Sequence, residues 1–84
     1  MRYARICSVT GKGINQGYVT EDLSYFKYKK DLTAHLREFD RELSENYPNN
    51  EDFLNECYEN EFYYYTEWEE DYEWQEINGR LVEL

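Results

Sequence analysis

The chain has 84 residues and a formal net charge of -10 at pH 7, with 19 Asp or Glu against nine Lys or Arg. Its length supports one hydrophobic core, so we expect a single domain over residues 1–84; its 19% aromatic content argues against disorder, despite a mean hydropathy of -1.05. The acidic balance argues against direct nucleic-acid binding, and no long apolar run suggests a signal peptide or a membrane span, so a cytoplasmic location without membrane contact is expected.

Three short strands are predicted at the N-terminus. Arg2–Ser8 alternates loosely between polar and apolar residues, and Tyr18–Thr20 is β-prone, with a glycine-rich segment between them. This order predicts a glycine-tipped β-hairpin in which Gly11 and Gly13 provide positive φ angles. A third short strand is expected over Tyr25–Tyr28.

Two helices are predicted in the middle of the chain. The long one covers Asp31–Asn46, with Asp31 as its N-cap and Pro48 as its stop. Its apolar face is formed by residues spaced three and four apart: Leu32, Leu36, Phe39, Leu43 and Tyr47. A shorter helix is expected over Glu51–Tyr58, where acidic residues suit the first turn.

Antiparallel strands are predicted at the C-terminus. The run FYYYTEW alternates so that Phe62, Tyr64, Thr66 and Trp68 share one face, whereas Tyr63, Tyr65 and Glu67 share the other. The dipeptide Asn78-Gly79 then predicts a two-residue hairpin. The expected fold class is therefore α+β: an N-terminal glycine-tipped hairpin plus a short strand, one long and one short helix, and C-terminal antiparallel strands with an Asn-Gly hairpin.

The segment from Cys7 to Gly13 resembles the C-x-x-C-G-K-G knuckle of a treble-clef zinc module, with Thr10 in place of the second cysteine. The segment that follows the hairpin is similar to the one that opens the helix in such modules, with Lys27 and Asp31 where cysteines would stand. The resemblance implies a hairpin–helix unit over residues 1–46 that has lost most of its metal ligands, so no zinc is expected.

The longer pattern C-x-V-T-G-x-G-x-N-x-G-Y, with a late Y-Y-x-T-E-W-E, resembles uncharacterised small acidic proteins of gut-type bacteria and their phages. No activity comes with that resemblance. The alternative is that the glycines only shape a turn and that Cys7 is a small core residue. In a reducing compartment, Cys7 and Cys57 are expected to be free, buried thiols.

No catalytic arrangement is apparent. His35 is the only histidine, and no nucleophile or metal motif accompanies it in sequence, so a structural role is favoured. Gly-Lys-Gly at residues 11–13 lacks the remaining positions of a phosphate-binding loop. We therefore expect no enzyme activity, cofactor or metal.

The acidic charge is concentrated in the second half of the chain. Residues 1–40 carry seven Lys or Arg against five Asp or Glu, whereas residues 41–84 carry two against fourteen. Carboxylates interleaved with Tyr and Trp can present to a basic groove what a nucleic-acid backbone presents. The predicted partner-binding residues, all in the acidic aromatic half (residues 47–84), are Glu61, Tyr63, Tyr65, Glu67, Trp68, Glu69, Glu70, Asp71, Glu73 and Trp74.

Two functions from different classes follow from these patterns. The first is a non-enzymatic acidic protein that engages a basic protein surface, such as a nucleic-acid-mimicking inhibitor of phage or mobile-element origin acting on a nucleic-acid-handling protein. The second is a degenerate zinc-ribbon-like interaction module that uses its aromatic strand, including for self-association. A third interpretation is that the acidic residues only solvate the outer faces of the fold.

Overall fold

The computed structural model describes residues 1–84 and contains three helices and eight short strands, which confirms the α+β class. The helices are α1 (Lys29–Phe39), α2 (Arg41–Asn46) and α3 (Asn50–Glu59). The strands are β1 (Arg2–Tyr3), β2 (Arg5–Ile6), β3 (Gly13–Ile14), β4 (Gln16–Thr20), β5 (Tyr25–Phe26), β6 (Tyr63–Glu67), β7 (Trp74–Ile77) and β8 (Arg80–Glu83). They form antiparallel sheets ordered β1-β7-β8, β2-β3 and β5-β4-β6.

The N-terminal hairpin is present, but its second strand differs from the predicted one. Ile6 pairs with Gly13 in β3, whereas Tyr18–Thr20 belongs to β4 and pairs with β5 and β6. The φ of Gly11 is +72°, as expected at the tip. Gly13 does not have a positive φ; it lacks a side chain because a Cβ there would overlap the Tyr3 ring.

Asn15 joins the N-terminal strands to one another. Its Oδ1 accepts a hydrogen bond from the Ala4 N–H at 2.8 Å, and its Nδ2 donates to the Arg2 carbonyl at 3.2 Å. At the outer edge of β1, the Asn15 side-chain amide therefore makes the hydrogen bonds that a neighbouring strand would otherwise make. The Asn15 carbonyl also accepts from the Trp68 N–H, which follows β6.

The predicted single helix over Asp31–Asn46 is wrong, because the helix is interrupted at Asp40 and forms α1 and α2 instead. Asp40 has an extended backbone (φ -133°, ψ 90°), and its carboxylate accepts a hydrogen bond from the Leu43 N–H, which caps α2. Asp31 is not the N-cap either: α1 begins at Lys29 after Tyr28, and Asp31 lies in the first turn. The apolar spacing continues across the break, which explains the prediction of one helix.

Arg37 holds the three helices together at this break. Its guanidinium donates to the carbonyls of Ser44, Tyr47 and Pro48 and to the Asn50 side chain, at distances between 2.7 and 3.2 Å. The Ser44 carbonyl lies in the last turn of α2, where Pro48 offers no N–H to it, and the Tyr47 and Pro48 carbonyls lie in the turn before α3. The arginine therefore satisfies carbonyls that lack helical N–H partners.

The shorter predicted helix is confirmed as α3, with slightly wider bounds. The side chain of Asn49 caps it by accepting from the N–H groups of Glu51 and Asp52. The main core lies between the helices and the β5-β4-β6 sheet, and its buried members are Phe26, Leu32, Leu36, Phe53, Leu54 and Cys57. Burying a side chain the size of Phe53 stabilises the fold by about 1.5–3 kcal/mol.

The Asn78-Gly79 hairpin is confirmed, with positive φ at both residues and Ile77 opposite Arg80. No residue of the β1-β7-β8 sheet is fully buried; Ile77 and Val82 are each 48% exposed. The molecule measures 45 × 21 × 18 Å and is therefore elongated.

Candidate partner-binding site

Strand β6 carries three of the predicted partner-binding residues, Tyr63, Tyr65 and Glu67, and the alternation of its two faces agrees with the prediction. Tyr63 and Tyr65 pack edge-on against Tyr18 of β4, with ring centroids 6.0 and 5.2 Å away. Trp68, just beyond the strand, packs against Tyr25 at 5.8 Å. Burial, and then the neighbouring Tyr18, raise the pKa of Tyr63.

β6 is an edge strand whose outer backbone groups have no strand partner. β4 is its only neighbour in the sheet. Hydrogen bonds mark the two ends of the β4–β6 pairing: the Glu21 N–H donates to the Phe62 carbonyl, and the Trp68 N–H donates to the Asn15 carbonyl. Because inward and outward groups alternate along an antiparallel strand, the even-numbered residues bond to β4, and the N–H and C=O groups of residues 63, 65 and 67 point outward.

A cavity of about 450 Å³ lies where α3 meets β6. Its lining combines three tyrosines with two carboxylates: Tyr58, Glu59, Glu61, Tyr63 and Tyr64. The Tyr58 and Tyr63 rings meet edge to face at 5.8 Å, and Glu61 has a left-handed backbone with φ 59°. Tyrosine faces and carboxylates both attract cations, so the lining suits a Lys or Arg side chain.

Two of the predicted acidic site residues are neutralised inside the molecule. Arg5 Nη2 lies 2.9 Å from Asp71 Oδ2, and Arg5 Nη1 lies 3.5 Å from Glu73 Oε1. The Arg5 guanidinium also lies over the Trp68 ring, 5.2 Å from its centroid. Burial alone would lower the pKa of Arg5, but the hydrogen bond to Asp71 and the two carboxylate charges raise it. Asp71, Glu73 and Trp68 therefore tie the segment before β7 to β2.

The other acidic residues of the second half have no cationic partner. Residues 41–84 contain fourteen Asp or Glu, and within 4.0 Å only Asp71 and Glu73 contact a cation, which leaves twelve unpaired. All of these except Glu56 are exposed. Carboxylates without a direct ion pair, concentrated on one chain segment, make the local potential of that segment negative.

The ten predicted residues thus divide into three groups along the chain. The first group lies on or just before β6: Tyr63, Tyr65 and Glu67 belong to the strand, and Glu61 precedes it. Glu69 and Glu70 are exposed between β6 and β7, and Trp74 lies in β7 opposite Tyr3. The third group contacts Arg5 and consists of Trp68, Asp71 and Glu73. Of the first group, Glu61 and Tyr63 line the cavity, whereas Tyr65 and Glu67 lie farther along the strand. The third group has a stabilising role.

Cys7 lies in a knuckle-shaped turn. The Cys7 N–H donates to the Lys12 carbonyl and the Gly11 N–H donates to the Cys7 carbonyl, at 2.8 and 2.9 Å. Burial would raise the pKa of the Cys7 thiol, but hydrogen bonds from the Thr10 hydroxyl and from the backbone of Thr10, Lys27 and Val9 lower it. Cys7 and Cys57 are both buried and free, and no cluster of three His, Cys, Asp or Glu residues is present.

His35 is held by packing and by one carboxylate. Its ring lies 5.0 Å from Phe26, and its Nε2 lies 3.3 Å from Asp22 Oδ2. The Asp22 carboxylate accepts from the Thr20 hydroxyl. That hydrogen bond, followed by the charge of His35, lowers the pKa of Asp22. The geometry fits the structural role that the sequence favours for His35.

Sequence reasoning missed Arg5, Tyr58 and Glu59. Arg5 is separated from Asp71 by most of the chain, so no local pattern could reveal their contact. Tyr58 is the last residue of the predicted short helix; it is 59% exposed and lines the cavity. Its position in the last turn of α3, directly before the aromatic strand, was the available signal.

Comparison with known proteins gave no match: neither a family model, a curated protein nor a solved structure is similar to this chain. None of the three helices has the length and apolar character needed to cross a membrane.

Proposed function

We propose that this chain is a non-enzymatic binding protein that docks on a basic surface of a partner protein. The observation that carries the proposal is the set of twelve unpaired carboxylates in residues 41–84, nearly all exposed. Charges arranged in this way speed the encounter with a cationic surface and make binding sensitive to salt. The exposed rings of Tyr58, Tyr64 and Tyr65 supply contact area beside them.

The partner class we propose is a nucleic-acid-handling protein, with this chain occupying the basic groove in place of nucleic acid. The carboxylates would substitute for phosphates, and the exposed tyrosines would offer stacking surfaces where bases stack. This is the chemistry of an inhibitor, and it accords with the resemblance to small acidic phage proteins. It also accords with a cytoplasmic location, where the free thiols Cys7 and Cys57 remain reduced.

The test is capture of partners on the immobilised protein, with elution by competing duplex or single-stranded nucleic acid and by salt. The charge-reversal variant Glu67→Lys with Glu69→Lys is expected to lose the partner. Asp71 and Glu73 are left unchanged because they bind Arg5. The matched control, Glu21→Lys with Glu38→Lys, changes the net charge equally at two exposed carboxylates outside residues 41–84. Retention of the partner by the first variant would refute the proposal.

The second candidate is a zinc-ribbon-like interaction module without metal. The turn at Cys7 favours it, because the Cys7 N–H bonds to the Lys12 carbonyl and the Gly11 N–H bonds to the Cys7 carbonyl, which closes the segment that resembles a zinc knuckle. In that case the aromatic strand would bind through apolar contact, including with a second copy. Binding that persists in about 0.5 M NaCl would favour this candidate, since charge attraction is strongly screened there.

A further inference from the structure

The free edge of β6 offers a specific way for a basic partner to bind. Three consecutive outward positions, Tyr63, Tyr65 and Glu67, present N–H and C=O groups with no backbone partner. Such an edge is a template for an extended peptide, which gains main-chain hydrogen bonds by joining the sheet.

Two other edges of the fold are covered. The outer side of β5 is occupied by Ser8, whose N–H donates to the Tyr25 carbonyl at 2.7 Å and whose Oγ accepts from the Tyr25 N–H at 3.0 Å. The outer side of β1 is occupied by the Asn15 amide. These contacts oppose strand addition at β5 and β1, whereas along the outer edge of β6 only the Glu67 carbonyl has a partner, the neighbouring Thr66 hydroxyl at 3.4 Å.

The strand β8 also lies at an edge, but it is less acidic than β6. β8 carries one cation and one carboxylate, Arg80 and Glu83, whereas β6 ends with Glu67 and follows Glu59 and Glu61 in the chain. No Lys or Arg occurs between Glu42 and Gly79, so the chain segment that contains β6 is uniformly acidic or neutral. A basic segment is thus attracted more strongly to β6 than to β8.

The cavity between α3 and β6 lies at the N-terminal end of β6, where Tyr63 and Tyr64 form part of its wall. Side chains of an added strand project alternately to the two faces of the sheet. One cationic side chain of the peptide can therefore reach Glu59 and Glu61 while the peptide backbone follows the edge. The open edge and the acidic cavity together fit one kind of ligand, an extended peptide segment that carries a Lys or Arg side chain.

We infer that β6 accepts an extended basic segment of the partner as an added strand, with one Lys or Arg side chain in the cavity lined by Tyr58, Glu59 and Tyr63. The inference rests on the proposed function, because it assumes a cationic partner. It adds the conformation of the bound segment, the strand that receives it and the pocket that selects its charge.

The probe is a synthetic peptide of about eight residues that alternates Arg and Val, a length typical of strands. Two further peptides carry N-methyl groups on one or the other set of alternate amides, with the same side chains and charge. Only one set faces β6 in an added strand, so methylating that set is expected to weaken binding by about tenfold or more, and methylating the other set much less. Equal affinities for the two methylated peptides would overturn strand addition while leaving charge-driven docking intact.

Amide hydrogen exchange supplies a second readout with residue resolution. On binding the peptide, the N–H groups of Tyr65 and Glu67 are expected to gain protection, whereas those of Tyr64 and Thr66 are already bonded to β4 and should change little. Protection without this odd and even pattern would overturn the inference.

The cavity is tested with Glu59→Gln combined with Glu61→Asn, since Asn tolerates the left-handed backbone at position 61. Affinity for the Arg peptide is expected to fall about tenfold further than in the control Glu42→Gln with Glu45→Gln, which loses the same charge on α2. Equal losses would refute the pocket. Failure of every peptide to bind would refute the inference, whereas the proposed function is judged separately by the capture experiment on the charge-reversal variant.

Discussion

Replacing Asn15 by Ala is expected to destabilise the fold more than any other single exposed-residue truncation in the N-terminal strands. The Asn15 Oδ1 is the partner of the Ala4 N–H at 2.8 Å, and Ala4 is fully buried. Truncation leaves that N–H without an acceptor and away from water. It also removes the 3.2 Å bond to the Arg2 carbonyl, which solvent can reach.

The magnitude follows from these two bonds. An orphaned buried donor costs about 1–3 kcal/mol, and the loss of an exposed hydrogen bond adds about 0.5–1 kcal/mol. The free energy of unfolding should therefore fall by about 1.5–4 kcal/mol. For a domain of this size, that corresponds to a Tm lower by roughly 6–30 °C.

Urea unfolding followed by tryptophan fluorescence measures the change. Asn15→Asp keeps an acceptor for Ala4 but turns the donor into an oxygen facing the Arg2 carbonyl, so its loss should lie between wild type and Asn15→Ala. Asn55→Ala on α3, where the side chain makes no hydrogen bond within the protein, is the matched control. It should change stability by less than about 0.5 kcal/mol. An Asn15→Ala variant as stable as this control would refute the reasoning.

Three further outcomes are expected. In urea unfolding, Gly13→Ala should lower the free energy of unfolding more than Gly11→Ala. The methyl group at position 13 overlaps the Tyr3 ring, whereas the one at position 11 costs only a backbone strain of about 1 kcal/mol. The reverse order would contradict the close contact between Gly13 and Tyr3. Burial raises the pKa of Cys57 from 9.0 to about 11. Its contribution to stability is therefore complete below pH 9 and is lost as the pH rises toward 11, so the decline in unfolding free energy over that interval should be shallower in Cys57→Ala. The lowered pKa of Asp22 gives a contribution that is present above about pH 4 and lost as the pH falls through the lower folded value. Acid titration of Asp22→Asn should accordingly show a smaller loss of stability than wild type, and identical acid profiles would exclude the contribution.

Local signals in the sequence predicted the elements whose formation depends on neighbouring residues. The Asn78-Gly79 hairpin needs only two positive φ angles, and α3 needs only its cap and its apolar face. The break at Asp40 was hidden because apolar spacing continues through it. An aspartate that caps a following helix is locally indistinguishable from one exposed on a helix surface.

The candidate site was predictable in composition but not in arrangement. The sequence indicated an acidic aromatic strand, and β6 is that strand. It could not indicate that Arg5 neutralises Asp71 and Glu73, since the residues meet only after the whole chain has folded. Nor could it indicate which strand edge remains open, because that depends on where Ser8 and Asn15 bond.

The pairing of β1 with β7 has a consequence for biosynthesis. Arg2 and Tyr3 precede their partners Gln75 and Trp74 by about seventy residues. β1 therefore cannot pair until the ribosome has synthesised and released β7. A nascent chain stalled before Trp74 would hold β1 unpaired, so protease sensitivity at β1 should report whether β7 has been made.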